Sequence, residues 1–254
     1  MTTNRHDHLV LTDVSVVFNG FHAVDGLNLN VGQGELRCII GPNGAGKTTA
    51  LDMICGKVKP TSGQITFEGK TLNNLEEHEI ARAGIGRKFQ VPSIFHELTV
   101  RDNLEVSYSK SPGVLANAFL FGRGVDREGL EKLAELVGLE DYLDTPAGHL
   151  SHGHTQWLEI SLLLAQDPEL ILMDEPTAGM TVQETGLTVD LFNRLKGKHT
   201  LIVVEHDMGF VKEIGEVISV MHQGKMLAEG MVSEIEQHPE VRSVYLGSGG
   251  ISHA

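Results

Sequence analysis

The chain has 254 residues, enough to bury a core in one large domain or in two joined lobes. Its 20 Lys and Arg against 34 Asp and Glu leave a formal charge of −14, which argues against nucleic acid as the main partner, because binding a phosphate backbone needs a basic face. No run approaches the roughly 18 apolar residues of a membrane span, and the opening MTTNRHDHLV lacks the apolar stretch of a secretion leader. The only cysteines, Cys38 and Cys55, lie in apolar runs and are expected as buried free thiols in a reducing compartment. The expectation is a soluble intracellular protein.

In chain order, LVLTDVSVVF alternates as a strand does, which predicts Leu9, Leu11, Val14, Val16 and Phe18 as inward positions. GLNLNV repeats the alternation, and GELRCIIG is a continuous apolar strand ending in glycine. KTTALDMICG reads as a helix closed by Gly56, and SGQITFEGK as a further strand between glycine turns. From about residue 90 to 165 helical patterns dominate, notably DREGLEKLAELVGL. ELILMDEP and HTLIVVEHD are then buried strands on either side of the helix TVQETGLTVDLFNRLKG, and EVISVMHQGKMLAEG reads as two strands joined by a turn. Strands alternating with helices imply an α/β fold with a parallel sheet, and the helical insert implies a second lobe. GSGGISHA is expected as a frayed end.

GPNGAGKTT fits the phosphate-loop pattern G-x-x-x-x-G-K-[ST] through Gly41, Gly46, Lys47 and Thr48, with a buried strand before it and a helix after it. Gly41, Pro42, Asn43, Gly44, Ala45, Gly46, Lys47, Thr48 and Thr49 are therefore the candidate nucleotide cradle. Its glycines let successive N–H groups turn inward as an anion nest, and the helix N-terminus adds its positive end. Lys47 is expected to reach the β- and γ-phosphates and Thr48 to ligate Mg²⁺. At the end of LILMDEP, Asp174 is the candidate for holding Mg²⁺ and Glu175 for orienting or deprotonating the attacking water. His206, closing the next apolar strand, is placed to bond the γ-phosphate, and Gln90 in GRKFQVP to reach Mg²⁺ or the water. Taken alone, His206 and Gln90 are weak signals.

The order GPNGAGKTT, Gln90, LSHGH, LILMDEP, EHD resembles the nucleotide-binding subunit of ATP-binding cassette (ABC) transporters along nearly the whole chain. The resemblance implies a P-loop NTPase fold: a RecA-like, mostly parallel core sheet, an antiparallel β subdomain and an inserted α-helical subdomain. It implies one ATPase domain over residues 8–250, with core 8–90 and 166–238, helical subdomain about 91–165 and a short tail over 239–254. LSHGH corresponds to the family's signature motif. Ser151, His152, Gly153 and His154 would thus bind an ATP cradled by a second copy, each nucleotide lying between one subunit's phosphate loop and the other's signature. Phe18 falls where the family stacks an aromatic ring on adenine, although core packing would explain it equally well.

Two departures stand out. His152 and His154 replace a glycine and the glutamine of the usual Leu-Ser-Gly-Gly-Gln, and Thr181 replaces an aspartate after the acid pair. His154 is expected to take over part of the glutamine's work and to make dimer closure sensitive to mild acid. The alternatives for the histidines are plain solvation or chelation of a transition metal. Thr181 also opens T-V-Q-E, a capping box with Glu184, so it serves equally as a helix start.

Within the family, GIGRKFQVPSIFHELTVRDNLEV, EPTAGMT, VVEHDM and HPEVRSVYLG resemble the branched-chain amino acid importers and their urea or short-amide relatives. LSHG followed by QWLEI looks most like the urea importer subunit. The resemblance implies an ATPase using ATP and Mg²⁺, working with transmembrane permease subunits, a second ABC ATPase subunit (identical or a sister chain) and, indirectly, an extracytoplasmic solute-binding protein. It would sit peripherally on the inner face of the cell membrane. Residues 91–110 would help receive a permease coupling helix, or form only a surface helix. The competing classes are a non-transport ABC ATPase, disfavoured by the lack of a long heptad insert, and a P-loop kinase or GTPase, which would not need the LSHGH turn.

Overall fold

The computed structural model describes residues 7–88, 94–108 and 127–247. Two compact units are present: the first takes in Met1–Arg87, Glu169–Pro176 and Phe192–Ala254, the second Lys88–Pro168 and Thr177–Leu191.

The first unit is built on two sheets. β1 (Asp7–Phe18), β2 (Phe21–Gly32), β4 (Ser62–Phe67) and β5 (Lys70–Thr71) form an antiparallel sheet in the order β2-β1-β4-β5. β3 (Leu36–Ile40), β6 (Ile85–Lys88), β7 (Leu170–Asp174), β8 (Thr200–Val204), β9 (Val217–His222) and β10 (Lys225–Gly230) form the other, in the order β10-β9-β3-β8-β7-β6. β9, β3, β8 and β7 run parallel, and β10 returns antiparallel on β9. β3, β7 and β8 are buried at every position, as a parallel strand covered on both faces requires. A single core cluster joins the sheets: Leu9, Leu27, Ile65 and Phe67 from the antiparallel one pack with Ile39, Leu172, Val204 and Leu51. Helices α1 (Lys47–Ile54), α2 (Glu77–Arg82), α7 (Met208–Ile214), α8 (Val232–Gln237) and α9 (Pro239–Gly247) complete the unit. Cys38 and Cys55 are free and buried, and the Cys38 thiol is pushed up to about 12 chiefly by burial.

One expectation needs correction. Phe18 does not point inward: Leu9, Leu11, Val14 and Val16 are buried, but Phe18 is 47% exposed. Phe18 is the last residue of β1 and pairs with exposed Phe21 at the tip of the hairpin, beyond the buried Val16. Residues 239–247 of the C-terminal stretch form α9, with Pro239 at its first position and Val241 buried.

The second unit contains α3 (Val100–Tyr108), α4 (Arg127–Val137), α5 (His152–Leu164) and the first part of α6 (Val182–Leu195). α4 follows the helical repeat, burying Leu130, Leu133, Ala134 and Val137. Trp157 on α5 is buried and donates its indole N–H to Thr188 Oγ1 at 3.0 Å. Lys88 and Glu159, both buried, pair at 3.1 Å. Among the described residues no helix is long and apolar enough to cross a membrane.

Candidate active site and signature turn

The loop between β3 and α1 makes a cradle open to a ligand. Gly41 has φ +153°, and a Cβ there would overlap the carbonyl oxygen of Met221. Gly46, the residue before α1, sits at φ +98°, a left-handed conformation that other residues adopt only under strain. Asn43, Gly44, Ala45, Gly46, Lys47, Thr48 and Thr49 line the cleft with Phe21, Ala23 and Glu175. Gly41 is buried and Pro42 half-buried at the base of the loop. Lys47, itself 8% exposed, donates from Nζ to the carbonyls of Gly41 at 2.8 Å and Pro42 at 3.1 Å. Burial holds its ammonium below the usual lysine range, against the opposing pull of Glu175 and Asp174.

The acid pair sits at the end of β7. Asp174 is 3% exposed; burial raises its carboxyl above the ordinary aspartate value, while a hydrogen bond from Thr48 and the Arg87 charge oppose that rise. Its Oδ2 is buried without a hydrogen-bond partner among the described residues, with Arg87 Nη2 at 3.8 Å. A carboxylate with an orphaned oxygen, tied to a hydroxyl at the lip of a phosphate loop, is the donor set a hydrated Mg²⁺ takes. Glu175 turns into the left-handed region at φ +48°, held by its N–H on the Val204 carbonyl at 2.9 Å. That turn carries its carboxylate to the cleft lining, away from Asp174's buried environment. His206 Nδ1 lies 3.5 Å from Glu175 Oε1, and the ring is 64% exposed. Strain of this kind at a side chain lining a cleft fits a functional role.

Phe18 is not among the residues lining this cleft, whereas Phe21 is. The two face each other as the last pair of the β1–β2 hairpin, and both are exposed. Hydrophobic alternation could not distinguish them. Arg87 was also missed: it bonds Asp52 and Cys55 Sγ besides standing near Asp174, and only its place at the end of a strand hinted at it. Gln90 lies outside the described residues.

The signature turn belongs to the second unit. Ser151 caps α5, its Oγ accepting from the His154 N–H at 3.2 Å. The backbone N–H groups of the first turn thus open at an exposed serine. His152 is exposed, with Nε2 2.9 Å from the Ala178 carbonyl oxygen. Gly153 is buried, and a Cβ on it would overlap the Glu184 carboxylate. His154 packs its ring against Tyr142 (4.2 Å between centroids) and Trp157 (5.3 Å). Glu184 accepts from Thr181 N and Thr181 Oγ1, both at 2.8 Å, and Thr181 Oγ1 accepts from Glu184 N at 3.3 Å, which completes the capping box. These bonds, the Thr181 backbone one first, hold the Glu184 carboxyl below its ordinary value.

Comparison with known proteins agrees with this arrangement. A family model described as ABC transporter matches residues 24–178. The chain is 36% identical to the high-affinity branched-chain amino acid transport ATP-binding protein BraF of Pseudomonas aeruginosa, over 94% of this chain and 97% of that protein. It is also 36% identical to the corresponding protein LivG of Escherichia coli K12, over 91% and 94%. A crystal structure of the ADP conformation of an ATP-binding cassette from an ABC transporter superposes with a TM-score of 0.80 at 33% identity, covering 95% of this chain and 99% of that one. The phosphate loop, the acid pair and the signature turn thus lie on the ABC ATPase fold, and the chain belongs to the ABC transporter family as one of its ATP-binding, ATP-hydrolysing subunits.

Proposed function

We propose that this ATPase drives a membrane importer by closing head to tail on a second cassette, with ATP between the Lys47 loop of one subunit and the Ser151 turn of the other. The observation that carries the reading is Glu175, strained onto the cleft lining and 3.5 Å from His206. Lys47 binds the β- and γ-phosphates. Thr48 and Asp174 hold Mg²⁺, which when bound neutralises the phosphate charge that builds up during transfer. Glu175 accepts the proton of the attacking water, and His206 contacts the γ-phosphate. Ser151 and the first turn of α5 present N–H donors to the same phosphate across the dimer. Gln90 links the site to the helical unit by resemblance alone.

Support for two subunits comes from a related cassette whose post-hydrolysis structure with ADP and Pi is described as dimeric; it is 26% identical, with a TM-score of 0.72 over 88% of this chain. The partners proposed are transmembrane permeases, on whose inner face the subunit would sit peripherally, and a solute-binding protein reached through them. For the solute, the curated relatives support the branched-chain amino acid class. The LSHG and QWLEI stretches support urea or a short amide as a second reading. The test is Glu175→Gln: turnover should stop, ATP should still bind, and MgATP should produce a particle of twice the mass by light scattering. A monomer under saturating MgATP overturns the sandwich. Uptake of leucine against urea into vesicles holding the ATPase and its permeases separates the two solutes.

A further inference from the structure

Three side chains outside the nucleotide cleft converge with the chemistry of a metal site. One ring nitrogen of His8 and one carboxylate oxygen each from Glu68 and Glu169 lie within 4.8 Å of one another. The fold brings them together from three places in the first unit. His8 is the second residue of β1. Glu68 follows β4, whose Phe67 pairs with Leu9, and its own N–H donates to the His8 carbonyl at 2.9 Å. Glu169 precedes β7 and is fixed by its N–H on the Gly84 carbonyl at 2.8 Å.

His8 is an odd residue to bury here. It is 4% exposed, the Phe67 ring meets it at 4.6 Å, and its Nε2 finds no hydrogen-bond partner among the described residues. A buried imidazole so poorly partnered among the described residues is uncommon. Its Nδ1 stands 3.9 Å from Glu68 Oε1, too far for a hydrogen bond, and a single ring nitrogen would join the two carboxylates on one ion after a small movement of Glu68. Burial holds the ring below the ordinary histidine value, against the opposing pull of Glu68 and the Glu169 backbone. Glu68 and Glu169 are exposed, which leaves an entry path and open positions for water.

We propose that His8, Glu68 and Glu169 bind a divalent transition-metal ion, with Zn²⁺ the best match. One imidazole and two carboxylates suit zinc, whereas Mg²⁺ prefers oxygen donors alone. The bound ion ties the start of β1 and the β4–β5 turn to the residue leading into β7, bracing the antiparallel sheet against the strand that ends in the acid pair.

The test is calorimetric titration of the metal-free full chain with Zn²⁺ and no nucleotide, beside Glu68→Gln and His8→Asn. The native protein should take up one Zn²⁺ per chain. Glu68→Gln, an exposed change that leaves the core intact, should weaken binding roughly tenfold or more, since even outer-sphere changes at metal sites cost about 10- to 100-fold. Zn²⁺ should raise the native thermal midpoint and move that of Glu68→Gln less. Native protein and Glu68→Gln titrating alike, or no heat of binding at all, would overturn the site. So would binding that survives both variants but is lost in His152→Asn or His154→Asn, which would place the ion at the signature turn.

Discussion

Ser151 Oγ donates to Glu184 Oε1 at 3.3 Å, so the capping serine of α5 is held by the capping-box carboxylate of α6. Through Thr181, the same carboxylate also fixes the loop that follows the acid pair. Thr181→Ala should therefore loosen two elements together. Loss of an N-cap hydroxyl costs about 0.5–2 kcal/mol, and the urea midpoint should fall accordingly. The pH dependence has a definite sign. The Glu184 carboxyl is depressed in the folded state, so its contribution is present above its unfolded value and fades as pH falls through the lower folded one. Native protein should outlast Glu184→Gln in urea at pH 7, and the gap should close in strong acid. A gap of constant size across that range would mean Glu184 acts by shape alone.

Gly153→Ala should reproduce much of that damage. The added methyl would overlap the Glu184 carboxylate, and only by swinging that side chain away could it fit. The Thr181 and Ser151 bonds would be lost without either residue being changed. ATPase activity should fall severalfold or more while nucleotide affinity at the subunit's own loop stays within about twofold, because that loop belongs to the other unit. An equal fall in both would contradict a signature acting in trans.

The parts of the site readable from the chain are those made of neighbours. Gly41 to Thr49 needs only a local turn between a strand and a helix, so spacing carries it. The T-V-Q-E box is equally local, and Thr181 and Glu184 form it. What spacing could not carry depends on register and on tertiary meetings. Phe18 was placed inward because β1 alternates, but it ends the strand at the tip of the hairpin, opposite Phe21, where both rings are exposed. Glu184 reaches Ser151, and Arg87 reaches Asp52 and Asp174, across separations that no periodicity encodes. His154 was expected to stand in for a glutamine, and no spacing encodes the contacts its ring makes with Tyr142 and Trp157.

The aromatic pair at the hairpin end should divide unequally. Phe21 is on the cleft lining and Phe18, its cross-strand neighbour, is not. If adenine stacks on Phe21, Phe21→Ala should weaken ATP binding roughly two- to tenfold, the range of an aromatic pair worth about 0.5–1.5 kcal/mol. Phe18→Ala should cost less. Displacement of a fluorescent ATP analogue measures both, and a larger loss for Phe18→Ala would return the adenine to the position first expected from resemblance.

Asp174 sets function against stability. Its carboxyl is buried at 3% exposure, and burial raises it above the unfolded value more than Thr48 and Arg87 lower it. A raised carboxyl favours the fold fully below its unfolded value, and that advantage is lost as pH rises through the folded one, so at pH 7 the ionised Asp174 is a net cost. Asp174→Asn keeps the shape and removes that charge. It should raise the urea midpoint at pH 7, lose the advantage in acid where the native aspartate is itself protonated, and abolish Mg²⁺-dependent hydrolysis. Gains of this kind accompany the loss of groups kept for activity rather than for the fold. A lower midpoint for Asp174→Asn at pH 7 would show that Arg87 and Thr48 outweigh the burial, and would reverse the sign of the cost.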